Sequence, residues 1–160
     1  TATAETGATL PLTAGSTYCV SSLVRDDAGL VSAWSAETCT AVPLDDRSLT
    51  RSSGWTAGTG SAYYRGTYLR TTRLGAKLTR TDVRARRLSL VATTCPTCGS
   101  VKVYWGSTFL KTVSLRSTTT MNQRVLPLAT FSSARTGTVT IKVVSSARRV
   151  TIDGLVVKRN

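Results

Sequence analysis

The stretch that decides the fold is Cys95-Pro-Thr-Cys-Gly99, followed directly by Ser100-Val-Lys-Val-Tyr-Trp105. A Pro-Thr pair closed by two cysteines and followed by glycine is typical of a tight turn. The residues after it alternate between apolar and polar side chains, which indicates a half-buried β-strand. The stretch therefore predicts a turn that leads into a strand, and the role of its cysteines separates a redox enzyme or metal protein from an extracellular β-module.

Other segments along the chain also have the composition of strands. Turn residues separate them throughout, and no segment shows the 3.6-residue repeat of apolar positions that predicts an amphipathic helix. The strand candidates are 62–69, 76–81, 85–91, 101–105, 110–115, 125–128, 138–144 and 150–157. Short strands at this spacing predict an all-β chain in which residues 45–160 form a complete antiparallel, jelly-roll-like β-sandwich.

A separate module is predicted at residues 1–44. Leu12, Gly15 and Tyr18 have the spacing found where an immunoglobulin-like or fibronectin type III sandwich turns into its penultimate strand, with the tyrosine side chain bonding back across the corner. Two strands are predicted after this corner, at about 18–25 and 35–42. The module ends in the segment 42–47, where a proline and two acids precede a jump in basic charge.

Both modules resemble known families. Gly15-Ser-Thr-Tyr-Cys-Val20 and Arg25-Asp-Asp-Ala-Gly29 resemble the end of a fibronectin type III repeat in secreted bacterial proteins. From Gly54-Trp55 to Val150-Thr-Ile-Asp-Gly-Leu-Val156, the second module resembles the carboxy-terminal sandwich that follows such repeats in secreted proteins of high-GC Gram-positive bacteria. The resemblance implies a galactose-binding-like architecture, similar to that of carbohydrate-binding modules, and a secreted or cell-surface location.

The fibronectin-like module is predicted to lack its first strands in this chain. Such a domain needs about seven strands in about 100 residues, whereas residues 1–44 supply only the last few. Either the chain is cut upstream, or another polypeptide supplies the missing strands, because an isolated three-stranded sheet would expose its apolar face and an unpaired edge. Residues 1–10 lack the basic and then apolar pattern of a signal peptide, so we expect any export signal to have been removed.

The charged residues exclude several classes of function. The chain has no histidine, which excludes Ser-His-Asp and Cys-His catalysis and every zinc site that contains histidine. Residues 1–48 carry six acids against two basic residues, whereas residues 49–160 carry 19 basic residues against Asp82 and Asp153 alone. We therefore predict no catalytic residues and no enzyme activity. No stretch approaches the roughly 18 apolar residues that a membrane span needs.

The four cysteines are predicted to form two disulfides, Cys95 with Cys98 and Cys19 with Cys39. A thioredoxin-like redox pair is the first alternative, but its first cysteine needs a helix N-terminus, and here a strand follows. A zinc site is the second alternative, but the cysteines lie in different modules and no histidine completes the set. An even number of paired cysteines fits an exported protein.

Exposed aromatic and arginine side chains are the candidate ligand-binding residues of the second module. In adjacent aromatic pairs such as Tyr104-Trp105, only one member can face the core, and an exposed aromatic ring is a usual platform for a sugar. The alternatives are that these rings pack against another chain, or that Trp55 closes one end of the sandwich. The candidates are Trp55, Tyr63, Tyr64, Tyr68, Trp105, Arg65, Arg86 and Arg87.

Asp153 is a candidate for a calcium ligand, but the prediction is that no metal or cofactor is bound. The second module has only one other acid, Asp82, so a cage of many carboxylate oxygens is poorly supplied. Backbone carbonyls offer a further source of oxygens. The competing interpretation is that Asp153 accepts hydrogen bonds from local amides near a turn.

The chain is predicted to be a non-catalytic extracellular module that binds a glycan or an anionic cell-wall polymer as the tail of a larger secreted or surface protein. The alternative is a structural module, such as an adhesin, spacer or filament subunit, that packs against other chains. Nucleic acid is not predicted as a partner because no nucleic-acid-binding motif is present. An open groove with exposed aromatic and arginine side chains would favour the first prediction over the second.

Overall fold

A computed structural model describes residues 9–160. Residues 1–8, which begin the predicted fibronectin-like module, lie outside the described residues. The described chain is all-β, as predicted, with two single-turn 3-10 helices at Asp46–Ser48 and Tyr64–Gly66. Its strands are β1 (Thr17–Val20), β2 (Thr38–Ala41), β3 (Leu44–Asp45), β4 (Thr50–Arg51), β5 (Thr56–Thr59), β6 (Thr67–Thr71), β7 (Lys77–Thr94), β8 (Ser100–Trp105), β9 (Thr108–Ser114), β10 (Met121–Val143) and β11 (Val150–Lys158).

The sandwich is organised by the long antiparallel pair β7 and β10. The pairing runs from Met121 opposite Thr94 to Lys142 opposite Lys77. Sheet I has the strand order β5-β6-β11-β7-β10. It contains residues 87–94 of β7 and residues 121–130 of β10. Sheet II has the strand order β4-β7-β10-β8-β9. It contains residues 77–85 of β7 and residues 135–143 of β10. All strand pairs are antiparallel, which confirms the predicted sandwich class.

The core lies between the two sheets and is built by alternation along the strands. Leu78, Val103 and Ile141 point inward from sheet II and are almost fully buried. Leu90 and Ile152 do the same from sheet I, within one continuous apolar cluster. Because successive side chains of a strand point to opposite faces, the residues between these positions face outward. The two outer faces are therefore the surfaces of the sheets that a ligand can reach.

Two pairs of predicted strands are each one strand. The segments 76–81 and 85–91 belong to β7, and 125–128 and 138–144 belong to β10. The sequence pattern breaks where these strands pass from one sheet to the other, since the register shifts between Thr130 and Arg135 and Asp82 has a positive φ of 55°. A bulge of this kind changes which residues face inward, so the alternation appears interrupted.

The segment 9–41 is joined to the sandwich but has little sheet of its own. Strands β1 and β2 pair with each other only, and the disulfide Cys19–Cys39 links directly opposite residues. The predicted corner bond is present, because the Tyr18 hydroxyl accepts a hydrogen bond from the Thr13 N–H at 2.9 Å. The fibronectin type III assignment and the boundary at residue 44 stay predictions.

The second disulfide, Cys95–Cys98, closes the turn between β7 and β8. The Cys98 N–H donates to the Cys95 carbonyl, and the turn is followed by a strand, as the sequence predicts. All four cysteines are therefore paired, which confirms the disulfide prediction. Within residues 9–160, no helix has the length and apolar composition needed to cross a membrane.

Candidate functional site

Two tyrosines and an arginine form an aromatic surface at the β5–β6 edge of sheet I. The rings of Tyr63 and Tyr68 lie 4.1 Å apart between centroids and are tilted by 36°. The Arg70 guanidinium lies 5.5 Å from the centre of the Tyr68 ring. Tyr68 and Arg70 both point outward because Leu69, between them, is buried in the core. These three residues, Tyr63, Tyr68 and Arg70, are called the tyrosine platform below.

Glycines leave room for the two packed rings above the sheet. Gly58 is directly opposite Tyr68 in the strand pairing, and a Cβ at Gly58 would overlap the Tyr68 ring. A Cβ at Gly60 would lie 3.2 Å from the Tyr63 ring, which is tighter than an ordinary contact. The absence of side chains at these positions therefore sets the height and orientation of the aromatic rings.

The loop that carries Tyr63 is anchored by a buried carboxylate of β11. Both oxygens of Asp153 lie 3.0 Å from the Tyr64 N–H, and Asp153 is fully buried. The loop continues through Arg65, which has a positive φ of 53°. On its other side, the Gln123 amide donates to the Ala62 carbonyl at 3.1 Å. The loop is thus tied to both β11 and β10, which restrains the platform.

Two further buried acids, Asp45 and Asp46, lie near Asp153. Asp46 accepts a hydrogen bond from Thr67 at 2.6 Å, and Asp45 forms an ion pair with Arg47 at 2.6 Å. Burial raises the pKa of Asp153 to about 6, and the Tyr64 N–H opposes this shift. Burial also raises the pKa of Asp46. Burial opposes the ionisation of Asp45, but the hydrogen bonds from Arg47 outweigh it and lower its pKa.

Among the described residues, Asp45, Asp46 and Asp153 do not bring their oxygens together as a group of metal ligands; the ligand atoms that do converge belong to Cys19, Glu37 and Cys39, and these two cysteines form a disulfide. Asp153 is predictable from the sequence as a ligand candidate, whereas Asp45 and Asp46 lie in the segment predicted to be a boundary. The interpretation of Asp153 as an acceptor for local amides is partly confirmed, except that its partner, Tyr64, is 89 residues away in the chain. The oxygens of these carboxylates accept hydrogen bonds from Arg47, the Tyr64 N–H and the Thr67 hydroxyl.

The structure corrects the expectation that Trp55 and Trp105 offer exposed rings. Each tryptophan is only 8% exposed and belongs to the core cluster. Trp105 packs edge-on against Phe131, with 4.9 Å between ring centroids, and Gly137 leaves room for its indole. Of the pair Tyr104-Trp105, it is Tyr104 that points outward. It meets the exposed Phe109, with 5.7 Å between ring centroids, and Phe109 was not identified from the sequence.

Arg86 and Arg87 are exposed but do not lie beside the tyrosine platform. Arg87 is opposite Lys158 at one end of β11, whereas β6 pairs with residues 150–152 at the other end. Six residues of strand correspond to about 20 Å. Of the predicted candidates, Tyr63, Tyr64, Arg65 and Tyr68 are therefore brought together, and Arg86 and Arg87 are not.

The fold is similar to that of solved carbohydrate-binding modules. No family model matches the chain, and no curated protein matches it. The family 6 module CsCBM6-3 from Clostridium stercorarium, solved in complex with cellobiose, has a TM-score of 0.55 and 15% identity over 75% of this chain and 95% of that one. The C-terminal CBM6 of the laminarinase LamC from Zobellia galactanivorans has a TM-score of 0.52 and 11% identity over 73% of this chain and 99% of that one.

Larger enzymes also contain a region with this fold. A Paenibacillus xanthan lyase has a TM-score of 0.57 and 11% identity, and the match covers 74% of this chain but only 13% of that chain. The chain therefore spans a small part of the lyase and nearly the whole of the two isolated modules. At these identities the likeness concerns the fold alone. About three quarters of this chain folds as a jelly-roll β-sandwich of the kind seen in family 6 carbohydrate-binding modules.

Proposed function

We propose that the chain is a non-catalytic, extracellular module that binds a glycan through the tyrosine platform. The observation that carries this proposal is the pair of rings, Tyr63 and Tyr68, packed against each other over Gly58 and Gly60 beside the Arg70 guanidinium. The face of an aromatic ring packs against the apolar face of a sugar ring, and a neighbouring guanidinium donates hydrogen bonds to sugar hydroxyls. The similarity to isolated carbohydrate-binding modules of the same fold supports this function and does not favour a filament or spacer role.

The composition of the site supports binding rather than catalysis. The buried acids Asp46 and Asp153 are engaged with Thr67 and the Tyr64 amide, beneath the loop rather than on the platform. Their role in the proposal is to hold the loop. The two disulfides support a location outside the cytoplasm, where such bonds persist.

The test is binding of neutral glycans, such as cellobiose, xylan and laminarin fragments, by the purified unreduced protein in isothermal titration calorimetry. Tyr68→Ala is expected to weaken binding about tenfold or more, because a central aromatic contact commonly contributes at least about 1.4 kcal/mol. Trp34→Ala is the matched control, since Trp34 is 66% exposed in the segment 9–41 and is remote from the platform in the sequence. Equal effects of the two substitutions would contradict the proposal.

A second variant separates the position of the ring from its presence. Gly58→Ala keeps every aromatic residue but forces the Tyr68 ring away from the sheet. We expect it to weaken glycan binding while thermal unfolding changes little, because Gly58 lies on the edge strand β5. Unchanged affinity in Gly58→Ala and Tyr68→Ala would exclude the platform as the binding site.

A further inference from the structure

The outer face of sheet II carries three lysines in register on neighbouring strands. Lys142 of β10 is directly opposite Lys77 of β7 on one side and Lys102 of β8 on the other. They point outward, because the alternating inward positions, such as Leu78 and Ile141, are in the core. Since neighbouring strands lie about 4.8 Å apart, the three side chains start within about 10 Å of one another.

No carboxylate in the described chain compensates this row of charge. The ion pair found among residues 9–160 joins Arg47 to Asp45, on another part of the molecule. Like charges directly opposite each other in a sheet lower its stability. A row of three unpaired lysines therefore carries a stability cost in the isolated protein, and such costs are typical of residues that are kept for binding.

Hydroxyl groups and aromatic rings follow the lysines in the next row of the same face. Thr79, Thr140, Tyr104 and Phe109 are in register across β7, β10, β8 and β9. The Lys102 ammonium lies 5.8 Å from the centre of the Phe109 ring. A shallow groove of about 300 Å³ runs between the two rows and is lined by Lys77, Tyr104, Gly106, Thr140 and Lys142.

We propose that this outer face, called the lysine face, binds a linear polysaccharide with regularly spaced anionic groups, either carboxylates or sulfates. The lysine ammonium groups bind the anions, the threonine hydroxyls bind sugar hydroxyls, and Tyr104 with Phe109 packs against a sugar ring. A polysaccharide is favoured over a nucleic acid because the two disulfides belong to an oxidising, extracellular environment. The lysine face lies on the opposite sheet from the tyrosine platform, so this site does not depend on the proposed neutral-glycan site.

The test compares binding of polygalacturonate, dextran sulfate, neutral dextran and double-stranded DNA over a series of salt concentrations. The triple variant Lys77→Gln, Lys102→Gln, Lys142→Gln is expected to bind the anionic polysaccharide roughly 10- to 100-fold more weakly at about 0.1 M salt. By analogy with single-stranded polyanions, the slope of log affinity against log salt should fall by about 2, because three contacts are lost. The variant Lys77→Arg, Lys102→Arg, Lys142→Arg should retain binding.

A charge-matched control distinguishes a site from the overall charge of +13. Arg116, Arg124 and Arg148 are exposed and lie outside the lysine face, so their triple replacement by glutamine removes the same charge elsewhere. An equal loss of binding in this control would overturn the proposal, as would binding of neutral dextran with the same affinity. Tighter binding of DNA than of either anionic polysaccharide would assign the face to nucleic acid instead.

Thermal unfolding gives a readout that a merely structural role would not produce. Removal of the three lysine charges is expected to raise the melting temperature at low salt, because their mutual repulsion is relieved, while polymer binding falls. The difference in melting temperature should shrink at high salt, where the repulsion is screened. A lower melting temperature in the glutamine variant would show that the lysines stabilise the sheet, and would overturn the argument from unpaired charge.

Discussion

The segment 9–41 and the sandwich that begins at β3 differ in where their large apolar residues lie, exposed in the segment and buried in the sandwich. All buried hydrophobic residues of the described chain lie at Leu49 or beyond, in one cluster between two sheets. The segment 9–41 instead holds eight of the large hydrophobic residues that are exposed, including Val24 at 70% and Leu30 at 71%. A two-stranded sheet has no second layer to cover its apolar side, and alone it is only marginally stable.

The comparison shows that the two regions depend on different interactions. The sandwich depends on burial, whereas β1 and β2 depend on the Cys19–Cys39 disulfide and on contacts with the end of β11 and the residue after it. The Arg159 N–H donates to the Thr17 hydroxyl at 3.1 Å, and the Lys158 ammonium donates to the Cys39 carbonyl at 3.4 Å. A change in one region should therefore have little effect on the other.

The largest effect is expected from a cavity in the core. Leu90→Ala should lower the free energy of unfolding by about 2–5 kcal/mol, because Leu90 is fully buried between the sheets. Leu30→Ala is the control in the segment 9–41 and should change it by no more than about 0.5 kcal/mol. Urea unfolding followed by tryptophan fluorescence measures both. A large loss in Leu30→Ala would show that the segment 9–41 shares the core of the sandwich.

Removal of each disulfide should act on its own region. Chain-entropy estimates give about 3 kcal/mol for Cys19→Ser with Cys39→Ser and about 2 kcal/mol for Cys95→Ser with Cys98→Ser. The first double variant should speed hydrogen exchange in β1 and β2 without affecting β7 and β10. The second should lower the melting temperature of the sandwich. Faster exchange throughout the sandwich on loss of Cys19–Cys39 would contradict this separation.

A pH-dependent effect on stability is expected through Asp153. Its pKa in the folded protein is raised to about 6, from an ordinary value of 3.8. Between these two values the folded protein binds more protons than the unfolded chain, so stability should fall as pH rises from about 4 to about 6. Asp153→Asn should remove this part of the pH dependence, as measured by urea unfolding across that range.

The pH experiment also tests whether the acidic cluster binds a cation. Asp45, Asp46 and Asp153 already accept hydrogen bonds from Arg47, Thr67 and the Tyr64 N–H, so added Ca²⁺ should leave the melting temperature at pH 7 unchanged, whereas a rise that a chelator reverses would show that the cluster binds the ion. No response to Ca²⁺, together with the decline in stability from pH 4 to 6, would leave the cluster as a hydrogen-bonded anchor for the tyrosine loop.

The smallest effect is expected at the corner before β1. Tyr18→Phe removes the hydroxyl that accepts from the Thr13 N–H and should slightly lower the local stability of the corner. The readout is faster hydrogen exchange at the Thr13 amide, with no change in the melting temperature of the sandwich. A change in the sandwich would mean that the corner bond is coupled to the core.

Local sequence patterns predicted most of the strands. The alternation at 101–105 and 110–115 and the apolar run at 150–157 correspond to β8, β9 and β11, because each of these strands stays within one sheet. The patterns failed in β7 and β10, where bulges at Asp82 and between Thr130 and Arg135 change the facing of the side chains. A break in the alternation of apolar and polar residues within a strand looks the same in the sequence as a loop between two strands.

The candidate site was only partly predictable, because it depends on pairing between distant segments. The cluster of aromatic residues at 63–68 was visible in the sequence, but the role of Gly58 depends on its position opposite Tyr68. The burial of Trp55 and Trp105 depends on which face of a strand meets the core. The lysine row was invisible for the same reason, since Lys77, Lys102 and Lys142 are neighbours only through strand register.

The place of β11 in sheet I sets the order in which the sandwich can assemble. This strand follows all the others in sequence, yet it lies in the middle of the sheet, between β6 and β7. Sheet I therefore cannot form completely until residues 150–158 have emerged from the ribosome. Until then, the edges of β6 and β7 that pair with β11 remain unpaired. Contacts between such distant segments slow folding, with times of milliseconds to seconds for comparable β-sandwiches. Folding is thus a property of the whole chain from β3 to β11, and a shortened chain that lacks β11 would leave two aggregation-prone edges.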